Sequence, residues 1–281
     1  MTVDLAVGFV FSLLIGFGGY SQKALSKSGF AGAVVVGTAI FGWGGWHWGV
    51  ILIAFFVSSS GLSFLKSGDK IKVAEKFEKG SRRDMWQTFA NGGMGALAAL
   101  LSAALPGAGW WFAFVGAMAT VTADTWATEL GVLSKRPPRL ITSGQTVSPG
   151  TSGGITAMGT AAAAAGGIFI GGVAWGAAWA RQAFGPTPNL AASAWLIPLA
   201  ASAGLIGALA DSLLGAVWQA MYVCPVCARH TEQRHHRPCR NAPTRLTRGI
   251  RGLNNDGVNF ISSLFGASTA VIAGLVWQTF S

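Results

Sequence analysis

Charge is what this sequence lacks. Only 11% of its 281 residues are Asp, Glu, Lys or Arg. A soluble domain carries about 25%, so these side chains cannot cover a water-facing surface. Acid is scarcer than base, with ten Asp and Glu against 20 Lys and Arg. Three cysteines are too few for a disulfide-built secreted scaffold. At 51% hydrophobic residues the chain is not a disordered one. The formal net charge of +10 would suit a nucleic-acid binder in a polar chain. In one this apolar it points instead to membrane topology and anionic partners, and no nucleic-acid partner is expected.

What is present is a series of apolar runs. A bilayer core of about 30 Å takes roughly 20 apolar residues as a helix. Runs near that length fall at about 3–20, 30–43, 46–65, 86–105, 110–131, 153–180, 193–220 and 257–279. They predict an all-α, polytopic bundle of eight transmembrane helices forming a single membrane domain over 1–281. The second run is short and Gly-rich, so a re-entrant hairpin is its alternative. Two loops stand out, a basic one over 66–85 and a longer one over 221–256. If every run spans, four loops on one side hold 19 of the 20 Lys and Arg, and Arg181 alone is opposite. The positive-inside rule then puts those loops in the cytoplasm and both termini outside. Met1 to Asp4 offer no basic leader, and the lack of a transit peptide favours a bacterial inner membrane.

Six of the ten acids are terminal or sit in charged loops, including Asp84 and Glu232, where solvated faces are the simplest reading. Asp124, Glu129, Asp211 and Asp256 instead lie within or beside apolar helices. A carboxylate at membrane depth costs about 2.5–3.5 kcal/mol, so such residues usually carry function. All four fall near the basic end of their helices and can meet at one depth. Too few intramembrane Lys or Arg exist to pair them. Divalent cations are the natural counter-charge, and hard oxygen ligands suit Mg²⁺. Asp124 and Glu129 are five apart, which splays them by about 140° on a regular helix. Either the helix is distorted there or the two serve different ligands.

Small and amide residues surround these acids. Gly150-Thr151-Ser152-Gly153-Gly154-Ile155-Thr156 opens the sixth helix, where free N–H groups favour an anion such as phosphate. Simple helix packing explains the same glycines equally well. Asn255, Asn259 and Ser262 follow i, i+4, i+7 spacing on one face of the eighth helix, and Asn91 enters the fourth from the same side. Ala123-Asp124-Thr125 and Ala210-Asp211-Ser212 end helices of like direction, a faint sign of a two-helix repeat. The three cysteines share one loop. Cys224, Cys227, His236 and Cys239 have the spacing of a tetrahedral Cys₃His zinc site of structural type, with a redox dithiol as the alternative.

These motifs together resemble the membrane family of domain of unknown function 92, the phytyl-phosphate kinase and transmembrane protein 19 family. The resemblance is carried by Arg83-Asp84…Gln87…Asn91-Gly92-Gly93, Ala123-Asp124-Thr125-Trp126-Ala127-Thr128-Glu129-Leu130-Gly131 and Pro149–Thr156. It continues through Asp211–Ala216, the Cys224/Cys227 pair and Asn254–Ser262. It implies transfer of a phosphoryl group from CTP, or another nucleoside triphosphate, to an isoprenyl monophosphate such as phytyl, geranylgeranyl or farnesyl phosphate. In that reading Asp124, Glu129, Asp211 and Asp256 hold Mg²⁺ on the triphosphate. Gly150, Thr151, Gly153, Gly154 and Thr156 cradle phosphate, and Asn91, Asn255 and Asn259 orient it. Arg83, Arg139 and Arg251 clamp it. Cytidylyl transfer to a lipid phosphate and an ion-coupled carrier are the alternatives.

Overall fold

The computed structural model describes residues 2–64, 82–105, 107–183 and 194–280. Most of the basic loop expected over 66–85 lies outside them. Eight α-helices are present among the described residues: α1 (Thr2–Ser21), α2 (Lys27–Ala39), α3 (Trp46–Phe64), α4 (Met85–Ala104), α5 (Gly109–Gly131), α6 (Ala157–Ala183), α7 (Leu196–Val217) and α8 (Asn255–Phe280). Each expected run therefore corresponds to a helix. α2 runs on without a break into a π-helical turn, Ile40–Gly44, before Gly45 turns the chain into α3. That rod would be about 27 Å long at 1.5 Å per residue, so the second run is a near-full-length helix and not a hairpin.

Local chemistry explains where the helices begin. Ser26 caps α2 by accepting from the Gly29 N–H, and Asp84 caps α4 in a reciprocal box with Gln87. Thr156 accepts from the Gly159 N–H at the start of α6, and Asn254 from Gly257 at the start of α8. Asp84 is thus a helix cap, where a solvated loop acid was expected.

Five helices, α1, α3, α6, α7 and α8, are long and apolar enough to cross a bilayer. α4 and α5 carry more polar residues because neighbours shield them. α5 is buried without interruption from Trp111 to Ala123 and packs against α4, α6, α7 and α8. A helix enclosed by protein does not need an apolar surface all round. Small residues bring those neighbours close: Gly166 lies on Ala123, Gly204 on Ala119, Gly207 on Thr120, and Gly266 on Thr120. α1 stands on the outside, with Phe9, Phe11, Leu14 and Phe17 exposed as a lipid-facing surface would require.

Seven short strands lie in the loops at one end. β1 (Arg139–Leu140) pairs with β2 (Gly154–Ile155), and β3 (Met221–Val223) is the centre of a sheet ordered β4 (His230–Thr231), β3, β7 (Arg245–Arg248). β5 (His235–His236) pairs with β6 (Ala242–Pro243).

The close α5–α7 contact makes a stability prediction. A β-branched side chain at Gly207 would collide with Thr120, and overpacking of this kind costs about 1–3 kcal/mol. Gly207→Val should lower the thermal midpoint of the detergent-solubilised protein, followed by heating and size-exclusion chromatography. Gly172→Ala, with open space around it, should leave the midpoint unchanged.

Candidate functional site

A cleft of about 810 Å³ opens at the end of the bundle where α3, α5 and α7 finish and α4, α6 and α8 begin. Beneath it Ala123, Ala163 and Ala208 close the helices together, so the polar space stops at small-residue packing. Asp124, Glu129, Asp211 and Asp256 all line this cleft. Asp124 and Asp211 sit one turn beyond the Thr120–Gly207 contact, and each lies within electrostatic reach of the other. The Ser262 hydroxyl donates to Asp211 Oδ2 at 2.9 Å, which extends the polar face of α8 to the acid pair. The two Ala-Asp segments of the faint repeat are thereby brought side by side.

Glu129 has a different setting. It accepts a 2.5 Å hydrogen bond from Ser63 on α3 and lies within electrostatic reach of Arg83. α5 stays regular to Gly131, so the five-residue spacing is resolved by the two carboxylates serving opposite flanks. Arg83 is anchored through its backbone: its N–H donates to Ala24 O and its carbonyl accepts from Ser26 N–H, both at 3.0 Å. Gly29 has no Cβ, which leaves room for that carbonyl. Asn91, Gln87, Asn255 and Asn259 complete the lining from α4 and α8.

The glycine-rich segment lines the cleft from Pro149 to Thr156. It is not the first turn of α6, which begins only at Ala157. Gly150 and Gly153 have φ of +76° and +84°, which a helix cannot accommodate, and Gly154–Ile155 pair as a strand with Arg139–Leu140. At Gly153 a side chain would also strike Ala216 of α7, so glycine is needed twice over.

Beside this segment the cysteine loop folds into a small module. Cys224, Cys227, His236 and Cys239 bring their ligand atoms within 4.8 Å of one another and could hold a metal ion. Cys224-Pro225-Val226-Cys227 forms the β3–β4 turn, closed by Ala228 N–H to Cys224 O at 2.9 Å, while the Arg237–Cys239 turn joins β5 to β6. Burial pushes the Cys224 thiol up, but hydrogen bonds from the Cys227 and Val226 backbone, then from the Cys227 and His236 side chains, bring it down to about 6. The Cys239 thiol is pushed up to about 11, chiefly by its hydrogen bond with Cys227. Among the described residues this is the one group of three or more such side chains whose ligand atoms come so close; the four acids line the cleft.

The module is tied to the cleft through Gln219. Its amide is 2% exposed, accepts from the Ser152 hydroxyl at 2.7 Å and donates to Glu232 Oε1 at 2.8 Å. Arg248 of β7 adds bonds to Gly215 O and Ser152 O, at 3.3 and 3.5 Å. Loss of water around Arg248 lowers its pKa from the usual arginine value.

Of the residues expected to bind substrate, Arg83, Asn91, Gly150, Thr151, Gly153, Gly154, Thr156, Asn255 and Asn259 line the cleft. Arg139 and Arg251 do not. Arg139 is exposed on β1 and bonds to Gly144 O within its own hairpin, and Arg251 is exposed in the turn before α8. Lys135 and Arg136 occupy the rim instead, directly after α5. Glu232, Gln219 and Ser63 were missed. Glu232 is the only acid between Cys227 and His236, a signal too slight to distinguish it from loop charge.

Long apolar helices enclosing a polar cleft at one end define an integral membrane protein. The chain belongs to the family described as Integral membrane protein DUF92, which matches residues 10–267. Protein PGR of Arabidopsis thaliana is 33% identical over 96% of each chain. An uncharacterized membrane protein of Methanocaldococcus jannaschii is 28% identical, covering 89% of this chain and 86% of its own. A second uncharacterized membrane protein, from Synechocystis, is 28% identical over 53% of this chain and 59% of its own. No solved structure matches the chain significantly.

The Gln219 bridge is testable without knowing the ligand. Gln219→Leu removes the amide that bonds the Ser152 hydroxyl and Glu232, at a cost of about 1–3 kcal/mol. Amide hydrogen exchange over 149–156 should accelerate about tenfold, which is 1.4 kcal/mol.

Proposed function

We propose that this chain is a kinase that transfers the terminal phosphoryl group of CTP to an isoprenyl monophosphate, giving the diphosphate. The reading is carried by the convergence of Asp124, Asp211 and Asp256, from three helices, with the Gly150–Thr156 segment on one cleft at the basic end of the bundle. Facing carboxylates and a backbone cradle suit a nucleoside triphosphate with its divalent cation. The donor set is all oxygen, and Mg²⁺ commonly takes one or two carboxylates together with phosphates and water. A cleft of about 810 Å³ leaves space for those further ligands. When bound, the cation neutralises charge on the triphosphate. Asp124, Asp211 and Asp256 hold it, Glu129 steadies Arg83, and Asn91, Asn255 and Asn259 orient phosphate oxygens.

An acceptor phosphate has a second pKa of roughly 6, so it arrives already ionised and no strong base is needed. Catalysis then consists of positioning and charge neutralisation. Lys135 and Arg136 at the rim favour entry of a polyanion. Positive-inside topology has this end face the cytoplasm, where the nucleotide is found. Trp48, Trp111, Phe114 and Met118 fill the bundle below the cleft, an arrangement that favours an enzyme over a carrier, which would place its acids near the midplane. For the Cys₃His module we infer zinc in a closed, structural site, because three thiolates and one imidazole leave no open position.

The deciding experiment incubates purified protein with radiolabelled CTP or ATP, Mg²⁺ and a panel of prenyl monophosphates. CDP as product supports the kinase, and pyrophosphate would show cytidylyl transfer. Asp124→Asn and Asp211→Asn should each cut the rate by about 100-fold or more while the protein stays folded. Full activity in both would falsify the metal assignment. Elemental analysis should find one zinc per chain, absent from a Cys224→Ser, Cys227→Ser double variant.

A further inference from the structure

A second cavity lies against the polar cleft, between α1, α2, α3 and α4. It encloses about 70 Å³ and is walled mostly by carbon, from Ile15, Leu25, Val36, Phe41, Phe55 and Phe56. Ile15, Ile53 and Phe56 are only half-buried, so the crevice reaches the lipid-facing surface of α1 and α3. Two of its polar lining residues, Arg83 and Asn91, also line the polar cleft. They mark the point where the two spaces meet.

Arg83 is built into that junction. Its guanidinium carbon is 5.8 Å from the ring centres of Phe55 and Phe56 on the crevice side. Nη1 donates to the Ser60 hydroxyl at 2.9 Å, and Glu129 attracts it from the cleft side. A fixed cation thus stands with an oily wall on one flank and the polar cleft on the other. That is the charge pattern of an amphiphile with an anionic head, in complement.

We infer that the crevice receives the hydrocarbon tail of the acceptor lipid phosphate, and that Arg83 and Asn91 bind its phosphate where crevice and cleft meet. The inference rests on the lipid-phosphate reading given above and adds a division of labour to it. The acceptor enters from the α1–α3 side, while the triphosphate lies against Asp124, Asp211 and the Gly150–Thr156 segment. The enclosed space is small, so it takes the part of the tail nearest the phosphate and leaves the remainder in the bilayer.

The test uses the full-length protein in lipid nanodiscs. Ala33→Phe and Leu52→Trp fill the crevice without touching the cleft. Each should raise the KM for geranylgeranyl phosphate about tenfold, since a few methylenes lose their burial, and leave the KM for CTP unmoved. Arg83→Gln should show the same split. A geranylgeranyl phosphate bearing a diazirine beside its head should cross-link to residues 12–16, 33–37 or 52–56, competed by unlabelled prenyl phosphate. Unchanged acceptor KM in both filled variants, with the cross-link elsewhere, overturns the crevice and leaves phosphoryl transfer standing. Should wild-type protein transfer no phosphate at all, a competed cross-link in the crevice keeps the lipid site and rejects the kinase. Absence of that cross-link rejects the site, including where the filled variants do not fold.

Discussion

Two carboxylates facing one another at the end of a membrane helix bundle are the constraint around which this structure is arranged. The charges that reach Asp211 are those of Asp124 and Glu232, both negative, and its direct partner is a neutral hydroxyl from Ser262. Like charges in a partly dehydrated space repel unless a counter-ion joins them. The fold nonetheless packs α5 and α7 closely just below them. Gly207 and Gly204 bring α7 close to Thr120 and Ala119 of α5, one turn and two turns below the acids. The arrangement is explicable when a cation and its anionic ligand complete it.

The same constraint explains which helices look apolar. α1 faces outward and exposes large apolar residues, whereas α5 contains Thr120, Thr122, Thr125 and Asp124 without being unstable. Thr120, Thr122 and Thr125 return their hydroxyl protons to backbone carbonyls one turn earlier, so they bring no unsatisfied groups into the bundle. Hydropathy alone therefore singles out five spans, while the regular placement of basic loops, a property of the whole chain, points to eight helices.

Much of the site was legible because intramembrane acids are rare enough to be conspicuous. Asp124, Asp211, Asp256 and the Asn255–Asn259–Ser262 stripe all reach the cleft region for the reason their spacing gives: they share faces and depth. Arginine was harder to place. Arg139 and Arg136 sit three residues apart in one basic loop, and only the turn of the β1 hairpin decides that the first points away and the second lines the rim. The start of α6 was misplaced because a run of small residues reads as helix until positive φ at Gly153 is known. Gln219 and Glu232 left no trace in local pattern at all. Their roles exist only once the cysteine loop has folded back onto the glycine-rich segment, a contact between positions 67 residues apart.

That last contact gives the metal module a reason to exist. The loop between α7 and α8 buries little apart from Gln219, Ala220, Tyr222, Cys224, Thr231 and His236, far too little apolar surface to fold as an independent domain. Strands of two to four residues add few backbone bonds of their own. A metal held by three thiolates and an imidazole can supply the missing folding energy, since ligand binding and ordering are the same event. The ordered loop then presents Gln219 and Glu232 at fixed positions, and Ser152 is held by bonds that a loose loop could not maintain. In a protein whose helices fix the carboxylates, the glycine-rich segment lining the cleft is the part most in need of support. The cysteines stand where they can give it.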